Sequence, residues 1–173
     1  YDGEGFIAER MSVQHDGHPG RLSLRAGQPH VRDRDNAFEA DLAATLTTQA
    51  LLAKAPDMAW LQPYLQGSSE WTVAVALPAS ADAANARPSR VHLQSNLVGT
   101  AIRLPAPLGK PANEPLQSEV RIPLPVDAGD VEVVLGRRIA LRAHSRDGRT
   151  GIRAQLGTGT VPAASSLQGL LVE

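Results

Sequence analysis

The sequence predicts a mainly β protein: an antiparallel, twisted and curved sheet with one apolar face and a short two-helix insertion, a groove-like module. Three observations predict it. Apolar and polar residues alternate in most segments, Pro- and Gly-rich turns separate those segments at short intervals, and only Thr47 to Gln66 repeats its apolar residues at helical spacings. A chain of 173 residues, 42% hydrophobic and 20% charged, fits one such module over residues 1–173 and is too apolar for a disordered tail. Its 17 basic and 18 acidic side chains leave no positive excess for nucleic acid, and aromatics at 3% are too few to serve as base-stacking platforms. With no cysteine there is no disulfide framework, thiolate metal site or cysteine nucleophile, while the compartment stays open. No run approaches the roughly 18 consecutive apolar residues of a membrane-spanning helix.

Taken in order, Gly3 to Gln14 alternates weakly, with Phe6, Ala8 and Val13 toward one side, and a polar turn from His15 to Gly20 leads into Leu22 and Leu24: a hairpin. The charged connector Arg32-Asp33-Arg34-Asp35-Asn36 precedes Phe38, Ala40, Leu42, Ala44 and Leu46, a period-two series that reads as a strand, although its alanines also suit a helix. Leu51, Leu52, Ala55, Met58, Leu61 and Leu65 then recur three and four apart. They fit two short helices broken near Ala55-Pro56-Asp57, with Asp57 as an N-cap and Gly67 as a C-cap.

Period two returns with Trp71, Val73, Val75 and Leu77, a strand that ends at Pro78 before a small-residue turn from Ala79 to Pro88. Val91, Leu93, Ser95 and Leu97 alternate in one phase and Thr100, Ile102 and Leu104 in the other. A one-residue slip at Val98-Gly99 predicts a bulge or bend that keeps the apolar side facing one way. Further strands are expected over Leu116 to Val126 and around Val131 to Leu135, Ile139 to Ala143 and Ile152 to Leu156, with Asp147-Gly148 a hairpin signal between the last two. The total is roughly eight to ten strands in an antiparallel meander. Strand after strand is aliphatic on one side and polar on the other. Either the helices and a folded-over part of the sheet cover the apolar side as an ordinary core, or cover is insufficient and a trough is left for another molecule's hydrocarbon.

Chemistry-bearing clusters are thin. His15 and His18 share a turn, but spacing identifies no third metal ligand, and His30, His92 and His144 stand singly. Ser, His and Asp occur without a nucleophile elbow, and Gly157-Thr158-Gly159-Thr160 lacks the lysine and helix of a phosphate loop. No enzyme, metal or cofactor is expected. Arg137, Arg138, Arg142, Arg146, Arg149 and Arg153 make one region basic; Arg138, Arg142 and His144 would share its wet face, where solubility and edge protection compete with a phosphate contact.

Two passages carry a family resemblance. Val91 to Pro111, VHLQSNLVGTAIRLPAPLGKP, resembles the signature of the YhdP-type, AsmA-like proteins of Gram-negative envelopes through Ser95, Leu97, Gly99, Leu104, Pro105, Pro107, Leu108, Gly109, Lys110 and Pro111. Leu61 to Leu77, LQPYLQGSSEWTVAVAL, is similar to the family's helix-to-strand passage through Tyr64, Gly67 and Trp71. The resemblance covers roughly residues 40 to 125, and no membrane anchor accompanies it. Together with the start at Tyr1 and the end at Leu170-Leu171-Val172-Glu173 in mid-pattern, this reads as a segment of a longer chain.

The resemblance implies a protein anchored in the inner membrane, with β modules in the periplasm stacked into an apolar groove that carries phospholipid toward the outer membrane. Its implied partners are phospholipid, adjacent modules of the same chain and other envelope proteins. Strands of about eight residues would give a trough roughly 25 Å across, comparable to an acyl chain. On this reading Trp71, Val73, Val75, Leu77, Val91, Leu93, Ile102 and Leu104 line the apolar side. Pro105 and Pro107 end a strand and fix where Lys110 points, with a lipid-phosphate contact for Lys110 or Arg103 as the alternative to solvated charge. The competing reading is a structural spacer or interaction module whose sheet edges pair with neighbouring segments.

Overall fold

The computed structural model describes residues 4–15, 17–53, 56–79, 88–106, 108–146, 149–157 and 170–172. Its frame is one open, curved sheet. The hairpin strands β1 (Phe6–His15) and β2 (His18–Ala26) lead to β3 (Asn36–Thr47) and β4 (Leu65–Pro78), with helix α1 (Thr48–Ala53) and a 3-10 turn (Pro56–Leu61) between β3 and β4. Then come β5 (Ser89–Ser95), β6 (Thr100–Ile102), β7 (Ser118–Leu124), β8 (Asp130–Leu135), β9 (Ile139–Arg146), β10 (Arg149–Leu156) and β11 (Leu170–Val172). Apart from β6, which pairs with β4, the strands lie side by side in chain order. Every pairing is antiparallel except that of β10 with β11. The meander follows from short connections between consecutive alternating segments, each of which pairs with the one before it.

The weak alternation of the first strand has a local cause. The β1–β2 register shifts between Ala8 and Met11, and Arg10, at φ 51°, donates its backbone N–H to Ser23 Oγ at 3.1 Å. This extra residue lets Phe6 and Ala8, then Met11 and Val13, reach the same face despite opposite sequence parity. The slip read at Val98-Gly99 is also present. Thr72 pairs with Gln94 in β5 but Gly67 with Thr100 in β6, one residue out of register, and Leu97 (φ 52°) and Gly99 (φ 98°) both adopt left-handed backbone within the step.

The helical insertion is smaller than the spacing predicts. Among the described residues only Thr48–Ala53 is α-helical, and Asp57 lies inside the 3-10 turn instead of capping a second helix. Gly67, expected as a C-cap, is a β4 residue at φ 106°. Pro56 and Pro63 explain the shortfall, since neither can donate the backbone bond that a continuing helix needs. Of the expected break at Ala55-Pro56-Asp57, Ala55 lies with Lys54 outside the described residues, as do Asp16, most of the Ala79 to Pro88 turn, Asp147-Gly148 and Thr158-Gly159-Thr160. Arg146 pairs with Arg149, the register of a two-residue hairpin.

The buried core sits along one margin of the sheet. Ala44, Leu46, Trp71, Leu97, Ile102 and Leu116 form it, with Leu42, Leu51 of α1, Leu65, Leu93, Leu104 and Leu135 packed around them. On the polar side the β2–β3 connection folds back over β3, where it buries Val31 and Glu39.

Candidate functional site

The pairing registers place the apolar residues of nine consecutive strands on one face. Its middle row runs Met11, Leu22, Leu42 and Val73 across β1 to β4, each opposite the next. It continues through Leu93, Val120, Val133, Leu141 and Ala154 on β5, β7, β8, β9 and β10. At a strand spacing of about 4.8 Å, such a row spans roughly 40 Å. A parallel row passes through Ala8, Leu24, Ala40, Val75, Val91 and Ile122. Val73, Val75, Val91, Leu93, Val120, Val133 and Leu141 are all only half-buried, and Leu77 is exposed. Leu93, like Leu42 in the same row, packs against the buried core at one margin, and the others keep part of their surface open to solvent.

One long margin of this face is closed. Leu97, Ile102 and Leu116 pack with Trp71 of β4 between the end of β5 at Ser95 and the start of β7 at Ser118, and two family passages meet there. Arg103 donates its backbone N–H to the Tyr64 carbonyl at 2.7 Å, and Ser68 donates to the Gly99 carbonyl at 3.3 Å. Gly67 and Gly99 lie back to back: a Cβ on Gly67 would stand 2.1 Å from the Gly99 oxygen, and one on Gly99 2.1 Å from the Ser68 oxygen. Glycine is required at both on grounds of space as well as backbone angle. Ser69 and Thr100 hydroxyls hydrogen-bond at 2.5 Å inside this closure.

Lys110 is the centre of the closure. Backbone bonds in both directions tie it to Ile102, so the Leu104-to-Gly109 turn is clamped at its base. Its side chain is 4% exposed, and Nζ donates to the carbonyls of Leu97 (2.9 Å), Thr100 (2.5 Å) and Pro111 (2.9 Å). All three ammonium protons are used. Burial lowers its pKa, with Glu114 opposing and Arg138 reinforcing the shift. The alternative of a lipid-phosphate contact is thus corrected for Lys110: this ammonium faces the protein's own carbonyls. Arg138 fastens the same segment from the β8–β9 turn, donating to the Gly109 carbonyl at 2.8 Å and to Glu114 Oε1 at 2.5 Å, so it is not part of the wet stripe read with Arg142 and His144.

Of the residues read as lining the apolar side, Val73, Val75, Leu77, Val91 and Leu93 come together on the open face. Trp71 sits at its closed margin, 6% exposed, while Ile102 (7% exposed) and the half-buried Leu104 belong to the segment that closes it. These three were placed by alternation alone, and alternation does not tell an open row from one under a returning loop. Within the motif, Leu97, Gly99, Pro105, Leu108 and Lys110 belong to this closure; Pro107 lies outside the described residues. Leu22, Leu42, Val120, Val133 and Leu141 share this face without being among the residues expected there, although the same period-two signal marks them.

The opposite face is polar and cross-linked. Arg25 bonds Glu9 at 2.7 Å and Asp41 at 3.0 Å, and Arg32 also reaches Asp41. His92 Nε2 lies 2.6 Å from Glu119, and His144 Nδ1 3.0 Å from Asp130. Burial works against the charge of Glu39, but hydrogen bonds from Asn36 and from the backbone N–H groups of Arg32 and Asp33 outweigh it and bring its pKa down to about 2. Among the described residues no cluster of His, Asp and Glu could hold a metal ion.

The family model for the YhdP protein matches residues 1–173. The chain belongs to the YhdP family. No curated protein and no solved structure matched it. YhdP proteins belong to the bacterial envelope, and no described helix of this one is long and apolar enough to cross a membrane. The match extends over residues 1–173, beyond the two passages that carry the resemblance in the sequence, and so includes the hairpin at one edge and the β9–β10 pair near the other.

Proposed function

We propose that this YhdP segment is a non-enzymatic part of a lipid-transport bridge, whose open apolar face holds phospholipid acyl chains on their way to the outer membrane. One observation carries the reading: a row of aliphatic side chains, unbroken over nine strands, most of which keep part of their surface open to solvent. Burial of hydrocarbon there contributes about 0.8 kcal/mol per methylene, and because dispersion and hydrophobic contacts are non-directional, a chain can shift along the row without breaking a specific bond. Among the described residues the apolar rows carry no charged side chain that would select a head group. The segment is placed in the periplasm, with the inner-membrane anchor and adjacent modules elsewhere in the same chain.

The test is to purify the protein, extract what accompanies it and identify it by mass spectrometry, beside a Val75→Glu variant. Phospholipid in the parent and its loss from a variant with unchanged circular dichroism is the expected result. Equal lipid in both would contradict the reading. Absence of lipid from both would favour a second reading, a structural spacer, for which β1 supplies the supporting feature: its outer edge carries no pairing among the described residues, and Ile7 is 50% exposed.

A further inference from the structure

On the polar face, the row that crosses β7 to β10 reads Arg121, Glu132, Arg142 and Arg153, each opposite the next. Its charges alternate until the last step, where two arginines face each other. Glu132 is shared, accepting from Arg121 at 3.3 Å and from Arg142 at 2.7 Å. Arg121 also takes Glu119, which His92 contacts as well. Arg153 has no acceptor in the row, and its Nε is buried without a hydrogen-bond partner among the described residues. A guanidinium cannot shed its proton to relieve this, and like charges directly opposed on adjacent strands repel. Gly151, next on the same face of β10, and Ala140, diagonal to Arg153 on β9, are small and buried, so neither supplies Arg153 with an acceptor side chain.

We propose that Arg142 and Arg153 form a phosphate-binding site on the polar face of the sheet. A phosphate has enough oxygens to accept from both guanidiniums at once while Arg142 keeps Glu132, and its negative charge supplies what the row lacks. The two arginines lie on the face opposite the apolar rows, so the site stands independently of the lipid reading. Its chemistry serves either free phosphate or the phosphodiester of a head group.

Arginine Nε–H resonances of the purified protein, titrated with inorganic phosphate against chloride at matched ionic strength, test it directly. The Arg153 signal is expected to shift saturably while that of Arg90, an exposed arginine on the same face, moves little. The phosphate-induced rise in Tm is expected to vanish in Arg153→Gln and persist in Arg90→Gln. Equal shifts at Arg153 and Arg90, or a Tm response unchanged in Arg153→Gln, overturn the site. A parallel titration with glycerophosphoglycerol separates the sources: saturation at lower concentration than inorganic phosphate assigns a head group, and the reverse order assigns the free anion.

Discussion

Glu39 and Lys110 are buried ions on opposite sides of the sheet, and their energetics run in opposite directions. Glu39 is more acidic folded, at about 2 against 4.5, because its hydrogen bonds exceed the cost of burial. A carboxylate with a depressed folded pKa adds stability that is full above about 4.5 and lost as pH falls through about 2. Glu39→Gln should therefore cost on the order of 3 kcal/mol at neutral pH and about 1 kcal/mol at pH 3, read from urea midpoints. A pH-independent difference would remove the ionic explanation. Lys110, whose folded pKa is lowered, binds protons less well folded than unfolded, so its contribution to stability rises with pH toward the free-lysine value. Truncation is still costly, since Lys110→Met orphans three carbonyls; a loss of about 3 kcal/mol is expected in the same assay. Gly99→Ala should cost more than the ~1 kcal/mol usual at positive φ, because the added carbon would collide with the Ser68 carbonyl.

At the scale of elements, the Leu97–Leu116 segment converts one margin of a sheet into a core. It is held by Lys110 from within and by Arg138 from the β8–β9 turn. Arg138→Met should speed amide exchange at Lys110, Leu116 and Gly99 while leaving β3 and β4 protected, a local opening and not a global one. Uniform acceleration across the sheet would show that the segment is not a separate unit. The strands themselves were legible in the sequence, because one wet and one apolar face impose period two on every strand from β3 to β10. So was the slip at Gly99, since a bulge must change the parity of Ile102 relative to Leu93. What could not be read was where the slipped residues went: Ile102 and Leu104 satisfy the alternation equally well on an open face or beneath a returning loop. Nor did the spacing of Lys110 reveal that its ammonium is turned inward, because a buried lysine depends on carbonyls that the tertiary fold assembles from Leu97, Thr100 and Pro111. The shortened insertion has the simplest cause, two prolines that helical spacing does not register.

Over the whole molecule, the pairings build a two-sided sheet with different physics on each side. The polar side is tied strand to strand by ion pairs such as Arg25–Asp41 and Arg142–Glu132, which resist splaying of the sheet. The other side exposes aliphatic rows at a cost in hydration that a bound hydrocarbon would offset. Lipid removal should accordingly lower Tm in the parent but not in Val75→Glu, in which the row is already interrupted by charge. The most direct measurement places a photo-crosslinking side chain at Val73, or at its neighbour Thr72 on the opposite face, and exposes each protein to phospholipid vesicles before irradiation. The account predicts lipid adducts at position 73 and none above background at 72. Equal labelling at both positions, or none at either, would contradict an apolar face that carries lipid.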